Sequence, residues 1–224
     1  MNPEELVARF PRLYHMAHGG SWSSIQRHGL LSTSALLDLF GYPPGSNRTA
    51  IEAVRRPETV SITHPTHGEA AIRDNKPLSD SKLEACLAGM TRDEFYRMLN
   101  NRVFFWLTEK RLHTLLHARA YREQQHTVLT VDTTTLVEHY EHQISLSAIN
   151  SGSTAYRAMP RGPWTFQTIA AYDFDGRRRI RTPSEAVAEL AVSGGVPDIM
   201  NFLVMAEIRQ DGQEPVILWT REGG

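Results

Sequence analysis

Histidine, carboxylate and arginine side chains carry whatever chemistry this chain performs, because the common catalytic spacings are missing from it. There is no P-loop, no dinucleotide Gly-x-Gly-x-x-Gly, no Gly-x-Ser-x-Gly elbow and no His-Glu-x-x-His helix. The most specific local pattern is Tyr14-His15-Met16-Ala17-His18, followed by a stretch from Trp22 through Ile25 and His28-Gly29 to Leu30-Leu31-Ser32. His113 and His117 stand four apart on one helical face, a metal-binding spacing, but no third ligand accompanies them, and no metal is expected. Cys86 is the single cysteine, so an internal disulfide is excluded, and nothing near it would activate a thiolate. Arg55-Arg56 and the run Arg177-Arg178-Arg179-Ile180-Arg181 could grip phosphates, although such runs are more often solvated surface. Asp74 reads as a turn-capping aspartate, and the turns Asn150-Ser151-Gly152 and Arg161-Gly162 as borders of a pocket.

The elements that must position these groups follow from periodicity. Leu6, Val7, Phe10 and Leu13 recur at helical spacing over 3–13, and Leu13–Ala17 then reads as a short strand ending at Gly19-Gly20. A serine start and a glycine stop frame a helix from Trp22 to His28, after which Leu30–Thr33 emerges extended. Helices are expected at 33–40, 46–55, 81–88 and 91–99, the last opened by Thr91 with Glu94 three residues on, a capping-box pattern. Residues 65–80 read as loop. The dense apolar run Arg102–Leu107 is the best candidate for a central strand, 109–123 for the strongest helix, and Thr127–Asp132 for a further strand. A short helix is expected at Thr134–Tyr140, a strand at Ile144–Leu146, strand or helix start at Thr165–Tyr172, a short helix or strand approach at Ser184–Glu189, and two final strands at Phe202–Ile208 and Val216–Thr220.

Composition bounds the class. With 224 residues, 41% hydrophobic and 22% charged, the chain is expected to form one α+β domain over 1–224 that folds without a staple. A formal charge of −1 sets up no global field for a polyanion. The acidic start Met1–Leu6 and the lack of any run of about 18 apolar residues make a cytoplasmic protein without membrane contact the expectation.

The Tyr14–Ser32 stretch resembles the N-terminal NAD-binding segment of the ADP-ribosyltransferase superfamily, most closely that of DarT-type enzymes, with His15 at the matching histidine. Downstream, Ala188-Glu189-Leu190-Ala191-Val192 before Gly195-Val196-Pro197-Asp198-Ile199 looks like the DarT segment that holds the catalytic glutamate, with Glu189 at the match. The departures are Phe104-Phe105-Trp106 where that family has a proline-containing strand, and residues 64–100, which have no counterpart and read as an insertion or variable region.

The resemblance implies an ADP-ribosyltransferase-like split β-sheet core with flanking helices, with NAD as substrate rather than resident cofactor. It implies a macromolecular acceptor, foremost a base of single-stranded DNA, with RNA, protein or water as alternatives, and a toxin paired with an antitoxin protein. In that reading Glu189 is the catalytic carboxylate, since cleaving the nicotinamide–ribose bond passes through an oxocarbenium-like state. His15 donates to the ribose hydroxyls, Arg55 or Arg56 meets the pyrophosphate, and Tyr14, Phe104, Phe105 and Trp106 are available to wall the nicotinamide, with Met16 and Ser32 completing the cofactor-binding set. A catalytically silent binding module of the same fold, or an NAD glycohydrolase, is the alternative.

Overall fold

The computed structural model describes residues 1–155 and 158–221. Helix α1 (Pro3–Arg9) starts where Asn2 accepts the Glu5 N–H, and leads into β1 (Arg12–His18). There follow α2 (Trp22–His28), β2 (Leu30–Leu31), α3 (Thr33–Leu39) and α4 (Ser46–Glu52). A hairpin of β3 (Val60–His64) and β4 (Gly68–Ile72) precedes α5 (Asp80–Cys86), α6 (Arg92–Asn100) and β5 (Arg102–Trp106). The capping box of Thr91 and Glu94 forms as its spacing predicts. Next come α7 (Glu109–Leu116), β6 (His126–Asp132), α8 (Thr133–Tyr140), β7 (Ile144–Ser147), β8 (Gln167–Thr168) and α9 (Phe174–Arg178). The chain ends in β9 (Glu189–Ser193), β10 (Gly195–Val196), β11 (Leu203–Arg209) and β12 (Val216–Thr220).

The architecture is mixed α+β, built on one eight-stranded sheet in the order β12-β11-β6-β1-β5-β9-β7-β8 with every pairing antiparallel. Two small two-stranded sheets, β2 with β10 and β3 with β4, lie beside it. Among the described residues β1 and β5 meet at one residue pair, Tyr14 with Trp106, whereas β1 pairs with β6 over its whole length. The large sheet therefore consists of two four-stranded halves joined at one point. Past that point the chain directions carry residues 15–18 of β1 and 105–102 of β5 alongside each other unpaired.

Side chains alternate across a strand, so the register assigns faces. Leu13, Phe105, Leu129, Leu190 and Leu146 fall on one face and form the main core with Leu6 of α1, Ile25 of α2 and Leu136 of α8. Met16 and Val128 fall on the other, under Leu112 and Leu116 of α7. Residues 64–100 include β4, α5 and α6, and Phe95, Tyr96 and Leu83 there pack with Phe104 and Phe166.

Several expectations need correction. Residues 65–80 are not all loop: Gly68–Ile72 pairs with β3, a partner that outweighs the poor strand propensity of glycine, glutamate and alanine. The helix expected over 109–123 stops at Leu116, and the turns that follow swing Tyr121 back so that its hydroxyl reaches Asp74 at 2.8 Å. The segment Ser184–Glu189, expected as a short helix or strand approach, begins within a single 3-10 turn, Pro183–Glu185, and ends where Glu189 opens a strand. No helix among the described residues is long and apolar enough to cross a membrane.

Candidate functional site

One row of the sheet collects the polar and aromatic residues. The register aligns Thr130, Tyr14, Trp106, Glu189 and Ser147 on five neighbouring strands, so their side chains share one face. Glu189 is 4% exposed. Its Oε2 accepts the Ser151 N–H at 3.1 Å and the Ser151 Oγ–H at 2.7 Å, while Oε1 accepts nothing from the described residues. Burial pushes its carboxyl up to about 7; the Ser151 bonds and the nearby Arg111 and Arg161 guanidinium groups act in the opposite direction and hold it there.

His15 occupies the other face, with its ring 5.8 Å from that of Phe105. Its Nδ1 bonds the Phe104 carbonyl at 2.8 Å, across the unpaired stretch between β1 and β5. Burial lowers its pKa to about 4, so the ring is neutral near pH 7. A carbonyl only accepts, so Nδ1 carries the proton and Nε2 is left as an acceptor. In this tautomer the ring nitrogen of His15 that remains free can accept a hydrogen bond but not donate one, the opposite polarity to the donor expected from the sequence. His15 and Glu189 reach the β1–β5 junction from opposite faces.

The remaining expected residues divide. Tyr14 is half-buried and borders a cavity of about 420 Å³ with Arg12, Leu107, Thr108, Pro183 and Ser184, which includes neither His15 nor Glu189. Met16 and Phe105 are buried in the two cores, so Phe104 and Trp106, half-buried on the Glu189 side, are the better aromatic walls. Ser32 is buried and caps α3 by accepting the Ala35 N–H. Arg55 is spent on the Leu78 and Lys76 carbonyls. Arg56 is spent on the Ile51 and Arg73 carbonyls and on Asn100 Oδ1. Both arginines pin the 73–78 segment; Arg56 has all three nitrogens occupied, whereas Arg55 keeps Nη1 clear of the described hydrogen bonds. Asp74 caps its turn by accepting the Lys76 N–H, as its sequence suggests. His113 and His117 turn to separate carboxylates, Glu109 and Asp211. Among the described residues no group of three or more His, Cys, Asp or Glu side chains could hold a metal ion.

Sequence reasoning passed over Arg73. Its Nη1 donates to the Met16 carbonyl at 2.7 Å, its guanidinium lies 4.4 Å from the centre of the Tyr121 ring, and its buried Nη2 finds no partner among the described residues. Its charge also weighs on His15. A buried cation with an unused donor carries a cost that the described contacts do not offset. Nothing in Ile72-Arg73-Asp74 marks it, because the position is created where the residue after β4 reaches the β1 backbone at Met16. Arg111 of α7, next to Glu189, was equally invisible within an amphipathic helix.

No curated protein matches the chain. The profile of a family of unknown function, DUF7002, covers residues 11–203, a span that takes in both His15 and Glu189, and the chain belongs to that family.

Proposed function

We propose that the chain is an NAD-dependent ADP-ribosyltransferase, with the ADP-ribosyltransferase split sheet as its fold and a nucleic-acid base as acceptor. The observation that carries this reading is the Glu189 carboxylate, buried in mid-sheet, fixed at one oxygen by Ser151 and open at the other, in line with Trp106 and one strand from the His15 junction. The two four-stranded halves joined at Tyr14–Trp106 support the fold reading.

In this mechanism the C–N bond between nicotinamide and ribose breaks and nicotinamide leaves with the bonding pair. Ionised Glu189 stabilises the positive charge that develops on the ribose, its free Oε1 taking a hydrogen bond from a ribose hydroxyl or from the incoming nucleophile. A base nitrogen bonds to the anomeric carbon and its proton passes to the carboxylate. His15 Nε2 accepts from a hydroxyl of the dinucleotide, and Arg73, rather than Arg55 or Arg56, meets the pyrophosphate through Nη2. A dinucleotide that touches both His15 and Glu189 runs through the gap where β1 and β5 part. The resemblance carries the remaining implications, a toxin with a paired antitoxin protein.

The test is incubation of wild type and Glu189→Gln with labelled NAD plus single-stranded DNA, RNA, a cell protein extract, or buffer alone. Label moving to DNA with wild type only is the expected result. Transfer to RNA or protein keeps the enzyme and replaces the acceptor, and nicotinamide release in buffer alone makes it a glycohydrolase. No transfer and no release in any tube overturns the enzyme and leaves a binding module. Toxicity on expression that Glu189→Gln abolishes is expected alongside.

A further inference from the structure

The Glu189 carboxylate is held by a segment that belongs to neither its strand nor its neighbours, and the hold can be followed outward residue by residue. Ser151 gives both its N–H and its hydroxyl to Oε2. Ser151 is itself 1% exposed and sits in a turn with no regular element to fix it. What fixes it is Arg161, also 1% exposed, whose Nη1 donates to the Ser151 carbonyl at 2.9 Å, Nη2 to the Ser153 carbonyl at 3.1 Å and Nε to the Met159 carbonyl at 3.1 Å. All three nitrogens of one guanidinium thus end on the backbone of one loop. Arg161 is anchored in turn: its N–H donates to the Cys86 carbonyl at 2.9 Å and its carbonyl accepts the Ala88 N–H at 3.0 Å, just beyond α5. The loop has a second tie at Thr154, whose N–H donates to the Pro77 carbonyl and whose Oγ1 accepts the Ser79 N–H at 2.9 Å.

Burying a guanidinium is costly unless every donor is used, and the fork geometry of arginine fits three carbonyls that a lysine cannot span. The ordinary use of such a residue is an ion pair with a carboxylate. Among the described residues Arg161 makes none; it spends its donors on backbone carbonyls and influences Glu189 through space and through Ser151. We infer that Arg161 is a positioning residue, which clamps the backbone of Ser151, Ser153 and Met159 so that Ser151 locks Oε2 of Glu189 and turns Oε1 to the reacting ribose. The inference rests on the reading of Glu189 as the catalytic carboxylate. The charged groups facing Glu189 are Arg161 from this loop and Arg111 from α7; Arg111 also lies near Glu185 and Arg181. Of these, only Arg161 is bonded to the residue that bonds Glu189.

The experiment titrates the Glu189 carboxyl directly, by carbon NMR of protein labelled at glutamate Cδ, with the signal assigned by its loss in Glu189→Gln. Wild type is compared with Ser151→Ala, Ser151→Thr, Arg161→Lys and the Ser151→Ala/Arg161→Lys double variant. Losing the Ser151 hydroxyl raises the midpoint by about one pH unit, and Ser151→Thr restores it. Arg161→Lys keeps the charge and loses the fork; it is expected to raise the midpoint by a comparable amount, with the double variant no higher than Ser151→Ala alone. An Arg161→Lys midpoint equal to wild type, or shifts that add in the double variant, overturns the inference. If Arg161→Lys does not fold, the comparison of Ser151→Ala with Ser151→Thr decides, and equal midpoints for the two overturn it. Nicotinamide release is measured on the same proteins, with kcat expected to fall more than tenfold in Ser151→Ala and KM to change little. A coupled titration in a protein that releases no nicotinamide keeps the clamp and removes the transferase reading, so the two failures are distinct.

Discussion

Glu189, buried, and His15, half-buried, are ionisable groups whose shifts oppose each other across overlapping pH ranges. Between its ordinary 4.5 and about 7, folded Glu189 keeps a proton that the unfolded chain releases, so its contribution to stability falls as pH rises through that window. Above it the cost is about 3 kcal/mol, at 1.36 kcal/mol for each pH unit. Glu189→Gln is therefore expected to be more stable than wild type at pH 8 and nearly equal to it below about pH 4, as measured by urea unfolding at both; equal stability at pH 8 would mean that the carboxyl is not desolvated. His15 runs the other way, since the unfolded chain takes up its proton first, and its contribution is lost as pH falls from 6.5 through about 4. Its ring stays neutral where Glu189 ionises, so kcat/KM for NAD is expected to rise with pH around a single midpoint near 7. His15→Ala removes one hydrogen bond to the dinucleotide, and steady-state kinetics should show KM raised up to about tenfold with a smaller change in kcat.

At the scale of elements, the β2–β10 pair seats the Gly-Leu-Leu stretch against the segment after Glu189, and glycine makes the close approach possible. Gly29 has φ of 80°, and a Cβ there would stand 2.1 Å from the Pro197 carbonyl oxygen. Gly29→Ala is expected to cost more than about 2 kcal/mol in urea unfolding, because both the positive φ and the backbone contact oppose it. A wild-type midpoint would show that β2 and β10 can move apart freely. This contact explains why the two short patterns of the sequence, so far apart in the chain, occur together: Val196 pairs with Leu30 and Gly195 with Leu31.

For the whole molecule, a charge of −1 hides an uneven distribution. Arg178 and Arg179 are exposed at the end of α9, beside the half-buried Arg177. Reversing Arg178 and Arg179 to glutamate is expected to lower transfer to single-stranded DNA at least tenfold at low salt and to flatten its salt dependence, while nicotinamide release without acceptor stays at the wild-type rate. Unchanged transfer in a filter-binding assay across salt would assign the acceptor path to another face.

What the chain's own pattern determined was local. Periodicity specified α1, α2 and the apolar strands β5 and β6, and capping specified α6, because these patterns are written in neighbouring residues; the serine expected to cap α2, Ser21, makes no side-chain cap bond. The two short segments picked out His15 and Glu189, and turn chemistry picked out Ser151 and Arg161 as pocket borders without their roles. Only the tertiary structure decided the faces: pairing Tyr14 with Trp106 and Trp106 with Glu189 put His15 on the opposite side from Glu189. It also decided the arginines. Arg55, Arg56, Arg73 and Arg161 are alike in composition, and what separates them is which carbonyls come within reach in the folded chain, a matter of contacts across 10 to 57 residues of chain that no local spacing encodes.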